Sequence, residues 1–188
     1  MQRRDLLRAL GGATAFALLP LDTVAAWSRV ASGVQVADGL SDAQLALVGA
    51  IGDTILPRTD SPSATDVAVP AFIDVIVGEN YTEAQRTQFG AGLDAFDAKS
   101  KADGGSSFVD LSATARATFL ESIEAAPRNA DPARTYWRLK GLVIHGYFTS
   151  ERVMKDVLHT EIMPGRFDGA APMAAPAAKS GGEEHHHA

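Results

Sequence analysis

The stretch SDAQLALVGAIGDTILP at residues 41–57 decides the fold class. Ser41 and Gln44 have the spacing of a capping box, in which each side chain bonds the other residue's backbone N–H at a helix start. Apolar or small residues then recur at the spacing of one helical face, at Leu45, Val48, Gly52 and Ile55. Because Pro57 cannot continue a helix, the pattern predicts a helix that ends just before it.

The segment after Pro70, AFIDVIVGEN, is apolar nearly all round and is therefore expected to be buried. Its β-branched run is also compatible with a strand. A proline at the first helical position and Gly78 near the end favour a helix.

Similar start signals follow along the chain. Thr82 and Gln85 form a second capping box, and Asp131 with Pro132 is predicted to open a helix as N-cap and first residue. Ser112 and Ser150 are further candidate caps. No run alternates convincingly between apolar and polar residues, as a half-buried strand would. The sequence predicts an all-α bundle of five or six helices with long irregular loops.

Composition excludes several classes of function. The chain has 188 residues, of which 46% are hydrophobic, with a formal net charge of -6. This is the size of one ordinary domain, and the acidic balance argues against a nucleic-acid partner. The sequence contains no cysteine. Disulfides, iron–sulfur clusters and covalent c-type haem attachment within this chain are therefore excluded.

The N-terminus has the pattern of an export signal. MQRRDLLR is followed by an uncharged stretch at 9–21 and by small residues at 24–26. The stretch is shorter than the roughly 20 residues that a membrane-spanning helix needs. Arg3 and Arg4 make it look like a twin-arginine signal, a route that transports folded proteins. Residues 1–26 are therefore predicted to be the signal and 27–40 an extended linker. Because the signal directs export, we expect the protein to be periplasmic.

The remaining chain divides into a helical domain at 41–170 and a tail at 171–188. The tail is too poor in large apolar groups to pack, so we expect it to be disordered. It ends in His185, His186 and His187, which are weak candidates for binding a divalent metal ion. A metal-handling protein is therefore one alternative function.

Candidate catalytic residues are few. His145 and His159 are the histidines that precede the tail. Either would need a nucleophile or an orienting carboxylate nearby, and the sequence singles out none. A structural role is the simpler interpretation. A self-sufficient periplasmic enzyme that uses one of these histidines is a second alternative.

Two loop-rich regions combine arginine with aromatic residues, a composition typical of interface cores. They are the loop that follows Pro57 and the pair of segments at 146–150 and 164–169. Composition alone equally allows that the aromatic residues close the core and that Arg166 pairs with Asp168.

Three motifs together resemble the gluconate 2-dehydrogenase subunit 3 family. They are ILPRTDSPSATDVAVPAFID at 55–74, GYFTSERV at 146–153 and PGRFDG at 164–169, and the likeness extends over roughly residues 40–170. The family consists of small subunits of periplasmic flavoprotein dehydrogenases. The resemblance implies an accessory subunit without an active site or a cofactor of its own.

The resemblance also implies the partners. The catalytic partner would be a large subunit of the glucose–methanol–choline (GMC) oxidoreductase class, which binds FAD and oxidises a sugar or polyol such as gluconate, glucose, fructose or a glucoside. A cytochrome c subunit with haem would take the electrons, and the complex could attach to the inner membrane. The small subunit would help the flavoprotein mature and carry it through the twin-arginine translocase.

We expect the three motifs to form the interface with the flavoprotein. Helix periodicity leaves the arginines of two of the loops outside the core, where an isolated fold would not need them. The predicted interface residues are Pro57, Arg58, Thr59, Asp60, Gly146, Tyr147, Phe148, Thr149, Pro164, Gly165, Arg166, Phe167 and Asp168.

Overall fold

A computed structural model describes residues 23–33 and 39–160 of the protein. Within these ranges every regular element is helical, which confirms the all-α prediction. The α-helices are α1 (Thr23–Ala31), α2 (Asp42–Ile55), α3 (Val69–Asn80), α4 (Glu83–Gly104), α5 (Ala113–Ala125) and α6 (Ala133–Thr149). Short 3-10 turns lie at Thr65–Val67 and Phe108–Asp110, and a π-helical turn at Val153–Val157 follows α6.

Three helices begin at the capping residues that the sequence predicts. Both capping boxes are present, with Ser41 and Gln44 at α2 and Thr82 and Gln85 at α4. Ser112 caps α5 through the backbone N–H of Ala115. The segment after Pro70 is helical, so the strand alternative for it is wrong.

Two local expectations differ from the structure. Pro132, rather than Asp131, is the N-cap of α6. The Asp131 carboxylate still accepts hydrogen bonds from the backbone N–H and the hydroxyl of Thr135, at 3.2 and 2.6 Å, so it supports the first turn from one residue further out. Residues 27–31, which we expected to belong to an extended linker, are part of α1.

The core lies between α3 and α6, with α2 and α4 packed against them. Phe72 on α3 is fully buried, and burial of a side chain of this size stabilises a fold by about 1.5–3 kcal/mol. Gly146 on α6 faces it, and a Cβ at this position would come within 2.7 Å of the Phe72 ring. Glycine therefore permits the two helices to approach closely.

An aromatic cluster joins the other helices to α6. The ring of Phe96 on α4 lies 5.2–6.1 Å from the rings of Phe108, Phe119 and Tyr136. Edge-to-face and offset contacts at these distances are favourable. None of the described helices has both the length and the apolar character needed to cross a membrane.

Candidate partner interface

The loop after α2 presents the first predicted motif to solvent. Pro57, Arg58, Thr59 and Asp60 are all exposed. The backbone N–H of Ala64 donates to the carbonyl of Leu56 at 3.2 Å and closes the loop at its base. Within the loop, the Thr59 hydroxyl donates to the Asp60 carboxylate at 2.9 Å. The loop is therefore held in one shape although its side chains are open to contact.

Arg58 forms an ion pair with Asp66 from the 3-10 turn that follows. The backbone N–H of Ser63 donates to the Asp66 carboxylate at 2.8 Å. This bond is the main cause that lowers the pKa of Asp66, and the charge of Arg58 adds to it. The Arg58 side chain is 72% exposed, so its guanidinium is oriented while most of its surface remains available.

The second predicted motif ends α6, and its residues divide between interior and surface. Gly146 and Tyr147 are buried, the latter with 4% of its surface exposed. Thr149 is half-buried, and its hydroxyl accepts a hydrogen bond from Trp27 at 3.1 Å. Phe148 is 45% exposed and is therefore, of the four predicted interface residues in this motif, the one that a partner could reach most directly.

A long-range hydrogen bond brings the two motifs together. The Tyr147 hydroxyl donates to the carbonyl of Pro62 at 2.8 Å, across a sequence separation of 85 residues. The ring of Phe148 lies 5.3 Å from that of Tyr147 in an edge-to-face contact. We call the exposed predicted interface residues of these two segments, Pro57, Arg58, Thr59, Asp60 and Phe148, the motif surface.

The third predicted segment, at Pro164, Gly165, Arg166, Phe167 and Asp168, lies outside the described residues. So do Arg3 and Arg4 and the three tail histidines, His185, His186 and His187. Their assignments remain predictions from sequence.

Further exposed apolar side chains lie near the end of α6. Ile144 precedes Phe148 by four residues, so both occupy the same face of the helix. Val157 and Leu158 are also exposed, on the turn that packs against α6. The sequence analysis missed Ile144, Val157 and Leu158. The i, i+4 spacing of Ile144 and Phe148 was the signal that could have found part of this surface.

His145 has a structural partner. Its Nε2 lies 2.8 Å from the Thr23 hydroxyl, and burial lowers the pKa of the imidazole, which favours the neutral ring. A hydroxyl beside an imidazole is two-thirds of a nucleophilic triad, which also needs an orienting carboxylate. Within residues 23–33 and 39–160, no carboxylate bonds the ring. His159 is exposed and pairs with the carbonyl of Lys155 at 3.1 Å.

A shallow cleft of about 330 Å³ lies between α4 and α6, lined by Gln88, Phe89, Arg134, Thr135 and Arg138. Its arginines are both engaged by the chain itself. Arg134 pairs with Asp131, and Arg138 donates to the Tyr81 hydroxyl at 2.8 Å with its guanidinium over the ring. Burial raises the pKa of Tyr81, and the Arg138 charge opposes this shift.

Possible metal ligands do not converge in the described part of the chain. Across residues 23–33 and 39–160, no three His, Asp or Glu side chains are grouped where they could hold a metal ion. The described motif residues are joined through the bond between the Tyr147 hydroxyl and the Pro62 carbonyl, with Arg58 and Phe148 exposed to solvent.

The described residues define a class: a small helical protein in which two sequence motifs are joined by a long-range hydrogen bond and carry exposed residues. Within this class, residues 42–165 match the family model for gluconate 2-dehydrogenase subunit 3, and the chain belongs to that family. It is therefore a member of a family of dehydrogenase subunits, as its motifs suggested. No curated protein and no solved structure matches the chain.

Proposed function

We propose that this protein is an accessory subunit of a periplasmic FAD-dependent dehydrogenase and that it binds the large, GMC-type flavoprotein subunit. Sugar or polyol oxidation would take place on the FAD of that partner, and a cytochrome c subunit with haem would accept the electrons. The family assignment supports membership of a dehydrogenase complex. The binding mode and the identity of the partners are our proposal.

The observation that carries this proposal is the hydrogen bond from Tyr147 to Pro62. It joins two family motifs that are far apart in sequence, and each motif carries an exposed side chain, Arg58 in the first and Phe148 in the second. Arginine and aromatic side chains are both enriched in the cores of protein interfaces, so these two exposed residues are candidate anchors. Exposed Ile144, Val157 and Leu158 would extend the contact with apolar area.

Co-purification tests the proposal. The chain, tagged at its C-terminus, is produced together with a candidate GMC-type flavoprotein subunit from the same organism, and the complex is isolated from the periplasm. We expect a yellow complex that releases FAD when it is heat-denatured. Recovery of the chain alone, together with a flavoprotein that is active and FAD-loaded without it, would contradict the accessory role.

We further propose that the chain escorts its partner through the twin-arginine translocase on its own signal. Changing Arg3 and Arg4 to Lys keeps both charges but removes the planar guanidinium groups, with which a receptor can form bidentate hydrogen bonds. We expect both subunits of the double variant to remain in the cytoplasm. The escort role is wrong if the flavoprotein still reaches the periplasm at the wild-type level.

A further inference from the structure

Helix α1 is docked on the body of the protein by specific contacts. The indole of Trp27 stacks on the Phe72 ring with centroids 4.9 Å apart. Its Nε1 donates to the Thr149 hydroxyl at 3.1 Å, and the Thr23 hydroxyl pairs with His145 at 2.8 Å. These partners lie on α3 and α6, so α1 covers the groove between those two helices.

This helix contains the residues that the sequence marks as a cleavage pattern. Val24, Ala25 and Ala26 are helical, and Ala26 is only 3% exposed. At the opposite end of α1, Arg29 pairs with Glu79 on α3 at 3.0 Å. The Ala26–Trp27 bond thus lies between the contact of Thr23 with His145 and the ion pair of Arg29 with Glu79. Ala26 is buried and Trp27 is half-buried.

A peptidase needs a segment of chain that is extended and accessible. Cleavage within an ordered element is limited by how often that element opens locally. The timing of export matters here, because a twin-arginine substrate folds before it crosses the membrane. A signal peptidase on the far side would therefore meet α1 already docked.

We propose that docking of α1 on α3 and α6 protects the Ala26–Trp27 bond from signal peptidase, so that the folded subunit keeps Thr23–Ala31. This inference rests on the proposed export of the chain. Hydrolysis at this bond would leave Trp27 at a new N-terminus, without the preceding turn and its contact with His145. The retained residues instead keep the Thr23 hydroxyl against His145 on α6, while Trp27 covers Phe72 in either case.

The test uses the purified full-length chain and detergent-solubilised signal peptidase, with products read by intact mass and N-terminal sequencing. A synthetic peptide of residues 1–40 contains the same bond without the groove. A loosened variant, Thr149→Val with Glu79→Gln, removes the hydrogen bond to Trp27 and the charge that pairs with Arg29, and it leaves the sequence around the bond unchanged. Thr54→Val with Glu151→Gln is the matched control. The Thr54 hydroxyl donates to the backbone carbonyl four residues earlier, as the Thr149 hydroxyl does, and Glu151 forms an ion pair with Lys155 away from α1.

We expect the peptide to be cut after Ala26 and the wild-type chain and the control variant to resist. The loosened variant should be cut on the order of tenfold faster than wild type, as two lost polar contacts imply. The proposal is overturned if the wild-type chain is cut as fast as the peptide, if the loosened variant resists equally, or if the peptide is not cut. The assay needs neither export nor a large subunit, so its outcome is independent of the co-purification experiment.

Discussion

The two motif segments that the structure describes use their residues in opposite ways. In the loop at 57–60 every side chain is exposed, while at the end of α6 Gly146 and Tyr147 are buried and Phe148 alone is well exposed. The hydrogen bond from Tyr147 to Pro62 connects the two segments. The comparison teaches that a family motif can mark the support of a surface as well as the surface itself.

This division predicts separate consequences for the two kinds of residue. Changes at the supporting positions should lower the free energy of unfolding, and changes at the motif surface should leave it nearly constant. Three substitutions test this division, and a pH experiment tests the packing of α1.

The largest effect is expected at Gly146. In Gly146→Ala the new Cβ would meet the Phe72 ring at 2.7 Å, and overpacking of this kind typically costs about 1–3 kcal/mol. Gly141→Ala, on the same helix with nothing within 4 Å, should instead be stabilising by up to about 1 kcal/mol. Urea unfolding of the two variants measures both changes. Equal effects in the two variants would mean that close helix packing does not explain Gly146.

Tyr147→Phe should have the next largest effect, because it leaves the Pro62 carbonyl without its donor. A lost hydrogen bond of this kind costs about 0.5–1.5 kcal/mol. The loop should also open more often, which trypsin cleavage after Arg58 would report as a faster rate. If neither the unfolding free energy nor the cleavage rate changes, the two motifs are not held together by this bond.

A smaller effect on stability is expected when the pH is lowered, because α1 bonds to His145 through Thr23. Burial lowers the pKa of His145 below its ordinary 6.5. Between the folded-state pKa and the unfolded-state pKa, the unfolded chain therefore binds more protons than the folded one. The stabilisation is therefore complete above about pH 6.5 and is lost as the pH falls toward the lower, folded-state pKa. The groups that face His145 are the Thr23 hydroxyl of α1 and the Phe72 ring of α3, and the Arg29–Glu79 pair lies toward the far end of α1.

Hydrogen exchange of the α1 amides measures this effect. We expect faster exchange at pH 5.5 than at pH 7.5, after correction for the intrinsic rates, and no such difference in His145→Gln. A pH dependence that persists in the variant would assign the titration to another group.

The smallest effect is expected at Arg58. Its ion pair with Asp66 is largely exposed, and exposed pairs of this kind contribute between zero and about 1 kcal/mol. Arg58→Ala should change the melting temperature by no more than its matched control, Arg134→Ala, which removes the ion pair with Asp131. A substantially larger destabilisation by Arg58→Ala would place this residue among the supports of the fold.

The parts of this fold that the sequence could predict are those set by neighbouring residues. The capping boxes at Ser41 and Thr82 depend on side chains three positions away, so they can be recognised without tertiary contacts. The N-cap of α6 was predicted at Asp131 and lies one residue later, at Pro132. Helix ends are commonly uncertain by this much.

The remainder depends on contacts between distant residues. Helix α1 has a small-residue sequence that matches a cleavage pattern, and its order comes from Phe72 and Thr149 far along the chain. The buried state of Tyr147 likewise follows from packing and from Pro62, which periodicity alone does not reveal. The sequence could therefore indicate which motifs matter but could not separate the residues that support the surface from those that form it.

The central claim is that the motif surface binds the large subunit. Complexes assembled with Arg58→Ala, Phe148→Ala or the control Arg134→Ala can be chased with an excess of fluorescently labelled wild-type subunit, and the exchange rate gives the dissociation rate. Loss of an anchor residue commonly costs about 2 kcal/mol or more, which corresponds to roughly 30-fold faster dissociation. We expect this acceleration for Arg58→Ala and Phe148→Ala, with unchanged circular dichroism and less than a twofold change for Arg134→Ala. Exchange at the wild-type rate in both motif variants would contradict the account.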